Sequence, residues 1–170
     1  MRTWQIAIST ASAAVLFCFT SAGAAELSGK VVAVSDGDTI TVLSNSLENR
    51  IRLADIDCPE KRQPFGQKAK SLCSELCFGK EVKVSYSKKD RYERIIGSVE
   101  LPDGRNLNQE LLKAGMAWCY TKYCNDETMV RLEKGARDAR VGLWADSDAI
   151  PPWEWRNRSQ GSTGTASKAE

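Results

Sequence analysis

The sequence predicts an α+β domain built on a small β-barrel, and three observations carry that prediction. The chain has 170 residues, 42% hydrophobic and 27% charged, a size and balance suited to one globular domain. Short runs rich in β-branched residues alternate with Asp-, Gly- and Asn-containing turns, the pattern of antiparallel strands. Helical periodicity then enters after the third such run and again toward the C-terminal end.

The elements follow in order. Residues 27–34 carry Val31, Val32 and Val34 and stop at the turn Ser35-Asp36-Gly37-Asp38. Thr39-Ile40-Thr41-Val42 alternates and predicts the returning strand; residues 44–49 form a second turn, and Arg50-Ile51-Arg52-Leu53 alternates again. Residues 55–64 form a loop with two prolines. Ala69, Leu72, Cys73, Leu76 and Cys77 fall on one face of a helix over 65–78 that Gly79 ends. Strands are predicted at 81–87 and 94–101, with a charged turn between them, and a short strand near Arg105 after Pro102-Asp103-Gly104. A short helix covers 108–114 before Gly115. A last helix, capped by Asn125 or Asp126, runs to about Arg140. Pro151-Pro152 breaks the chain, and residues 157–170 have the composition of a disordered tail. Three strands, a helix, two strands and then helices give the α+β class with barrel packing.

The N-terminal segment is expected to be an address rather than structure. Arg2 precedes an apolar run over 6–20, and Ala22-Gly23-Ala24 supplies the small residues that a signal peptidase requires. Fifteen softened residues fall short of the ~20 needed to span a bilayer. The reading is a signal peptide over 1–25, a domain over 26–156, and a mature protein that is periplasmic or secreted, without a membrane anchor. Removing Cys18 leaves Cys58, Cys73, Cys77, Cys119 and Cys124, for which an oxidising compartment favours disulfides. Cys73 and Cys77 at i, i+4 on a helix would hold their Cβ atoms ~5–6 Å apart, too far for a bridge. Cys119 with Cys124 across a turn is one of the pairings left open.

Composition also limits the chemistry. With no histidine, imidazole acid–base catalysis, Ser-His and Cys-His pairs and His-ligated metal sites are excluded. The net charge of +2 announces no uniform basic field. Three stretches stand out. Asp36-Gly37-Asp38-Thr39 puts two carboxylates at a bend, which a plain β-turn would also do. Arg52-Leu53-Ala54-Asp55-Ile56-Asp57-Cys58-Pro59-Glu60 sets three acids close after a guanidinium. Such acids repel unless a cation sits among them, although a solvated acidic loop would look the same. Lys88-Lys89-Asp90-Arg91-Tyr92-Glu93-Arg94 is cationic around one aromatic. Oxygen ligands alone favour Ca²⁺ or Mg²⁺. A cation, two arginines and a carboxylate base together suit the transition state of phosphodiester hydrolysis.

The order Asp-Gly-Asp-Thr, Arg-Leu-x-x-Ile-Asp-x-Pro-Glu and Asp-Arg-Tyr-x-Arg resembles the staphylococcal (micrococcal) nuclease family, and the similarity continues through Phe65-Gly66, residues 108–117 and Gly142-Leu143-Trp144. The resemblance implies a five-stranded OB-fold barrel with three α-helices and Ca²⁺-dependent hydrolysis of DNA and RNA that leaves 3′-phosphates. It implies Asp38 and Asp57 as metal ligands through their carboxylates and Cys58 through its carbonyl. Glu60 corresponds to the general base, and Arg52 and Arg94 to the pair that stabilises the transition state. Arg91 and Tyr92 correspond to positions beside the nucleotide, and Asp36 to a turn residue. Tyr120 and Tyr123 are candidates for base stacking.

Several positions depart from the family pattern. Cys58 replaces a usual Thr, Glu93 replaces a common Gly, Asp55 has an uncharged counterpart, and the loop after Glu60 is short. From 48 to 94 the chain has 12 Lys+Arg against 8 Asp+Glu, a local excess suited to a polyanion. A monomer is expected. A non-catalytic OB module that binds single strands or a protein, and a small extracellular Ca²⁺-binding module, are the competing readings.

Overall fold

The structure, a computed structural model, describes residues 25–161. The segment read as a signal peptide, apart from Ala25, lies outside the described residues, as does 162–170. Strands β1 (Ala25–Asp36), β2 (Thr39–Ser44), β3 (Leu47–Leu53), β5 (Glu81–Lys89) and β6 (Ile95–Glu100) close a barrel in the order β1-β2-β3-β6-β5. Neighbours are antiparallel except β3 and β6, whose parallel pairing sets Ile51 against Ile95 and Arg52 against Ile96. The expected five-stranded barrel of an α+β OB-fold is therefore present. Its interior holds Val31, Ile40, Val42, Ile51, Val84 and Val99, all fully buried.

One turn differs from the sequence reading. The β2–β3 connection is only Asn45-Ser46, both at positive φ, the geometry of a tight two-residue hairpin. Asn tolerates that region, so the turn read over 44–49 is shorter and β3 begins earlier. In β2 the threonines are buried along with Ile40 and Val42, so this strand is covered on both faces.

Helix α1 (Gly66–Cys77) packs Ala69, Cys73 and Cys77 into the core and ends before Gly79 at φ 74°. The Cys73 and Cys77 sulfurs stay 4.0 Å apart and unbridged, as the i, i+4 spacing requires. Helix α2 (Leu107–Lys113) starts at Asn106, whose side chain accepts a hydrogen bond from the Gln109 N–H. Residue Arg105 precedes that helix, and the expected short strand is reduced to a bridge between Glu100 and Asn106. Helix α3 (Glu127–Asp138) is capped by Asp126, not Asn125. The Cys119–Cys124 disulfide joins the start of the intervening loop to its end, with Cα atoms 5.9 Å apart.

Among the described residues there are four α-helices rather than three. Helix α4 (Pro152–Gly161) runs into the segment from Asn157 onward that composition assigns to a disordered tail. Pro152 starts this helix rather than breaking the chain, because a first-turn residue has no intrahelical use for its N–H. Residues 56–57 are a second departure. Strand β4 (Ile56–Asp57) pairs with β7 (Trp118–Cys119), so part of the predicted loop is fixed by a small ladder outside the barrel.

Asn108 knits these parts together. It is buried, its Nδ2 donates to the Ala54 and Gly97 carbonyls at 3.0 and 3.3 Å, and its Oδ1 accepts from Val99 N at 3.2 Å. Asn108→Leu would leave the buried Val99 N–H without its partner and remove a donor from the Ala54 and Gly97 carbonyls, the latter keeping the Ala54 N–H. Urea unfolding should give a loss of about 3 kcal/mol; a loss under about 1 kcal/mol would show that these contacts are dispensable.

Candidate active site

Four elements and one loop deliver the charged residues. The β1–β2 bend carries Asp38, and Gly37 lets that bend lie on the next segment: a Cβ there would come within 2.8 Å of the Cys58 Cβ and 2.9 Å of the Ala69 Cβ. The Asp36 carboxylate accepts from Asp38 N at 3.3 Å, the local turn contact expected of it. Arg52 projects from the end of β3, between the inward residues Ile51 and Leu53. Asp57 sits in β4, paired with Trp118. Glu60 lies in the short loop, whose path is set by Gly66; a Cβ on that glycine would fall 1.9 Å from the Glu60 carbonyl oxygen. Gln63 holds the same loop from within, accepting from Glu60 N at 3.0 Å and donating to the Ile150 carbonyl at 2.6 Å.

These side chains form one alternating series. Arg52 reaches Asp38 Oδ2 with Nη1 at 2.8 Å and Asp57 Oδ1 with Nη2 at 2.7 Å. Asp38 Oδ2 also accepts from the Cys58 N–H at 2.7 Å, and Asp38 Oδ1 accepts from the Thr39 hydroxyl at 3.3 Å. Arg156 of α4 continues the series, with Nη2 2.8 Å from Asp57 Oδ2 and Nη1 2.7 Å from Glu60 Oε1. The Asp57 side chain is 2% exposed and Asp38 9%, whereas Glu60 at 42% faces solvent. Sequence reasoning brought Asp38, Arg52, Asp57 and Glu60 to one place, and the structure does so too. It missed Gln63 and Arg156, the last residue of the predicted domain, for which no role was expected.

Arg94 and its neighbours form a second group at the head of β6. The Asp90 carboxylate binds Arg94 Nε and Nη2, both at 2.8 Å, and accepts from the Tyr92 and Arg94 backbone N–H groups. This leaves three guanidinium N–H groups of Arg94 not engaged by Asp90. Arg91 donates to the Tyr92 hydroxyl at 2.7 Å and lies 4.8 Å from its ring, and the tyrosine is exposed. Glu93 adopts φ 60°, the conformation that suits the glycine it replaces, and pairs with Lys89 rather than Arg94. Tyr120 stacks on Trp153 with ring centres 5.2 Å apart, and Tyr123 is exposed beneath Lys88 and Lys122.

Electrostatics match the geometry. Burial pushes the Asp38 carboxyl up to about 7; Arg52 and the Cys58 N–H oppose this, while Asp36 and Asp57 add to it. Although burial works against its charge, Arg52 is raised by Asp38 and Asp57. Arg156 likewise keeps its charge against partial burial through Asp57 and Glu60. Burial holds the Cys58 thiol well above its usual range, so it is neither a thiolate nucleophile nor a soft ligand. Asp55 is raised by burial and by Asp126, with Lys88 opposing.

The donor set is one of hard oxygens. Three carboxylates, from Asp38, Asp57 and Glu60, pair with two guanidiniums, from Arg52 and Arg156, with Asp36 beside them in the β1–β2 bend, and the excess of negative charge fits a divalent cation. Among the described residues no three His, Cys, Asp or Glu side chains converge as a ready-made metal cluster. Two carboxylates and a backbone carbonyl, completed by water, remain a set that calcium-type coordination accepts.

Acids and arginines gathered at one end of a barrel suit the cleavage of a phosphodiester. Residues 50–146 match the family described as "Staphylococcal nuclease homologue". The chain belongs to the staphylococcal nuclease family and is in class a nuclease, a hydrolase of nucleic acid. It is 46% identical over 145 residues to an "Uncharacterized endonuclease" of Escherichia coli, covering 85% of this chain and 95% of the relative. It is 43% identical over 168 residues to "Protein ParB" of Escherichia coli, covering 93% and 94%. A "Micrococcal nuclease" of Shigella flexneri is 40% identical over 173 residues, covering 96% and 99%.

The raised Asp38 pKa has a definite consequence in metal-free protein. Folded Asp38 binds its proton up to about pH 7, while the unfolded carboxyl releases it near 4. The folded state therefore holds more protons between these values, and stability falls as pH rises through that window, on the order of a few kcal/mol. Thermal melts in EDTA should show this fall from pH 4 to 7 in the parent protein and not in Asp38→Asn. Parallel melting curves for the two proteins would refute the assignment.

Proposed function

We propose that this chain is an exported Ca²⁺-dependent nuclease that hydrolyses phosphodiester bonds of DNA and RNA, leaving 3′-phosphates. The observation that carries the reading is Arg52 spanning two nearly buried carboxylates, Asp38 and Asp57, with Glu60 at the solvent edge of the same cluster. Nothing in a barrel's packing calls for such a group. A buried ion pair is at best weakly stabilising, so its residues serve chemistry better than they serve the fold.

In this reading Asp38, Asp57 and the Cys58 carbonyl hold calcium. The bound ion would polarise a phosphate oxygen and offset charge that develops in the transition state. Glu60, exposed enough to meet water, takes the proton of the attacking water. Arg52, fixed by two acids, presents a preorganised cation to the phosphate, and such fixed donors contribute most when they need not reorganise. Arg94 adds a second cation, oriented by Asp90 while retaining N–H groups for the phosphate. Arg91 and Tyr92 flank the nucleotide. Their exposed ring and cation suit a stacked base with its neighbouring phosphate.

Export is supported by the segment over 1–25 and by the Cys119–Cys124 disulfide, which an oxidising compartment maintains. Cleavage after Ala24 or Ala25 would keep all, or all but the first residue, of the described β1 (Ala25–Asp36). Among the described residues no helix is long and apolar enough to cross a membrane. The mature enzyme acts as a monomer in the periplasm or the medium.

Plasmid DNA and RNA should be digested with added Ca²⁺ and spared in EGTA. Glu60→Gln and Arg52→Gln should each lose on the order of 10²–10³ in rate. Product ends should resist labelling by a 3′-extending enzyme until a phosphatase removes the 3′-phosphate. Digestion that persists in EGTA rejects the metal, and no digestion in any condition favours a nucleic-acid-binding module.

A further inference from the structure

Arg156 stands outside the segment 50–146 that matches the family, yet it contacts two of the acids in the cluster. Its element is docked for the purpose. Trp153 stacks on Tyr120 at 5.2 Å and meets Trp118 edge-on at 5.8 Å, and Trp118 is the ladder partner of Asp57. Gln63 ties the approach to α4 at Ile150 to the loop that carries Glu60. Helix, loop and ladder thus form one support, and Arg156 projects from it into the site.

The two ends of its contact are unequal. Asp57 is almost wholly buried and held by β4, so the bond from Nη2 to Asp57 Oδ2 fixes where the guanidinium points. Glu60 is 42% exposed on a loop, and a free Glu side chain there would sample many rotamers. The 2.7 Å bond from Nη1 restricts it to the one that faces the acids.

We propose that Arg156 is a positioning residue of this nuclease site: anchored on Asp57, it holds the Glu60 carboxylate in register for water activation, making α4 a working part of the enzyme. The inference rests on the assignment of Glu60 as base. Arg156 acts through Glu60 and is not required to touch the phosphate. A misplacement of a reacting group by about 1 Å costs about 10²-fold in rate, which sets the scale expected.

The test uses the mature full chain with calcium and a defined oligonucleotide, comparing parent, Arg156→Gln, Arg156→Lys, Glu60→Gln and the Glu60→Gln/Arg156→Gln double variant. Arg156→Gln should lower kcat about 10²-fold with KM within about threefold. Arg156→Lys, which restores the charge without the fork, should recover about tenfold. In the Glu60→Gln background, Arg156→Gln should change kcat by less than about threefold, because the group it positions is already disabled. Tryptophan fluorescence from Trp153 and Trp155 reports whether α4 stays docked in each variant. Three results would overturn the proposal: kcat within threefold of the parent in Arg156→Gln, an undiminished effect in the Glu60→Gln background, or loss of activity in Arg156→Gln and Arg156→Lys alike with α4 undocked. An inactive parent protein rejects the nuclease assignment itself and this inference with it, whereas an active parent with unaffected variants rejects only the role of Arg156.

Discussion

The bridge that Arg52 makes between Asp38 and Asp57 is the constraint around which this end of the molecule is arranged. Its two acids come from the β1–β2 bend and from β4, and a shared guanidinium gives both nearly buried side chains a charged hydrogen-bonding partner. Bidentate contacts use the planar fork of arginine, and a lysine could not span both carboxylates in the same way. The bridge therefore fixes the relative position of the β1–β2 bend, the end of β3 and the β4 ladder. Asp38 binds strand β3 through its backbone too, because its carbonyl accepts from Leu53 N at 2.9 Å.

Close approach of backbone to backbone is the second requirement. Gly37 and Gly66 sit where a methyl group would collide with Cys58 or with the Glu60 carbonyl, so these glycines are needed for space rather than for flexibility. Other positions accept conformational cost instead. Asp55, Phe65 and Glu93 all hold positive φ without being glycine, and each borders a functional segment: the β4 ladder, the start of α1 and the Arg94 turn. Such residues cost of order 1 kcal/mol or more and persist where surrounding contacts determine the backbone. The turn before Arg94 shows how this is done, with one carboxylate, Asp90, accepting two backbone N–H groups and the guanidinium together.

Charge in the site is distributed by depth. The most buried acid, Asp57, is paired to two arginines, the nearly buried Asp38 to one arginine and a backbone N–H, and the exposed Glu60 to one arginine. That ordering follows the desolvation penalty, which grows with burial and must be met by more partners. It also leaves the outermost carboxylate nearest to water, where a base for hydrolysis has to be.

Much of this was legible in the amino-acid sequence. Alternation in 39–42 and 50–53, helical spacing from Ala69 to Cys77 and the acid-rich run after Arg52 follow from local periodicity and turn chemistry, which act over a few residues. Those features were enough for the barrel class, whereas Asp38, Arg52, Asp57 and Glu60 as one cluster followed from the resemblance to the nuclease family. The β4–β7 ladder, the docking of α4 and the entry of Arg156 were decided only in three dimensions. Residue 156 lies 99 positions from Asp57 and 96 from Glu60, and no spacing rule reaches that far. Its helix is held by aromatic contacts of Trp153 to Trp118 of β7 and to Tyr120 just after it, and not by a hydrophobic stripe of its own. Composition alone thus described its second half as tail, and tertiary packing made it part of the site.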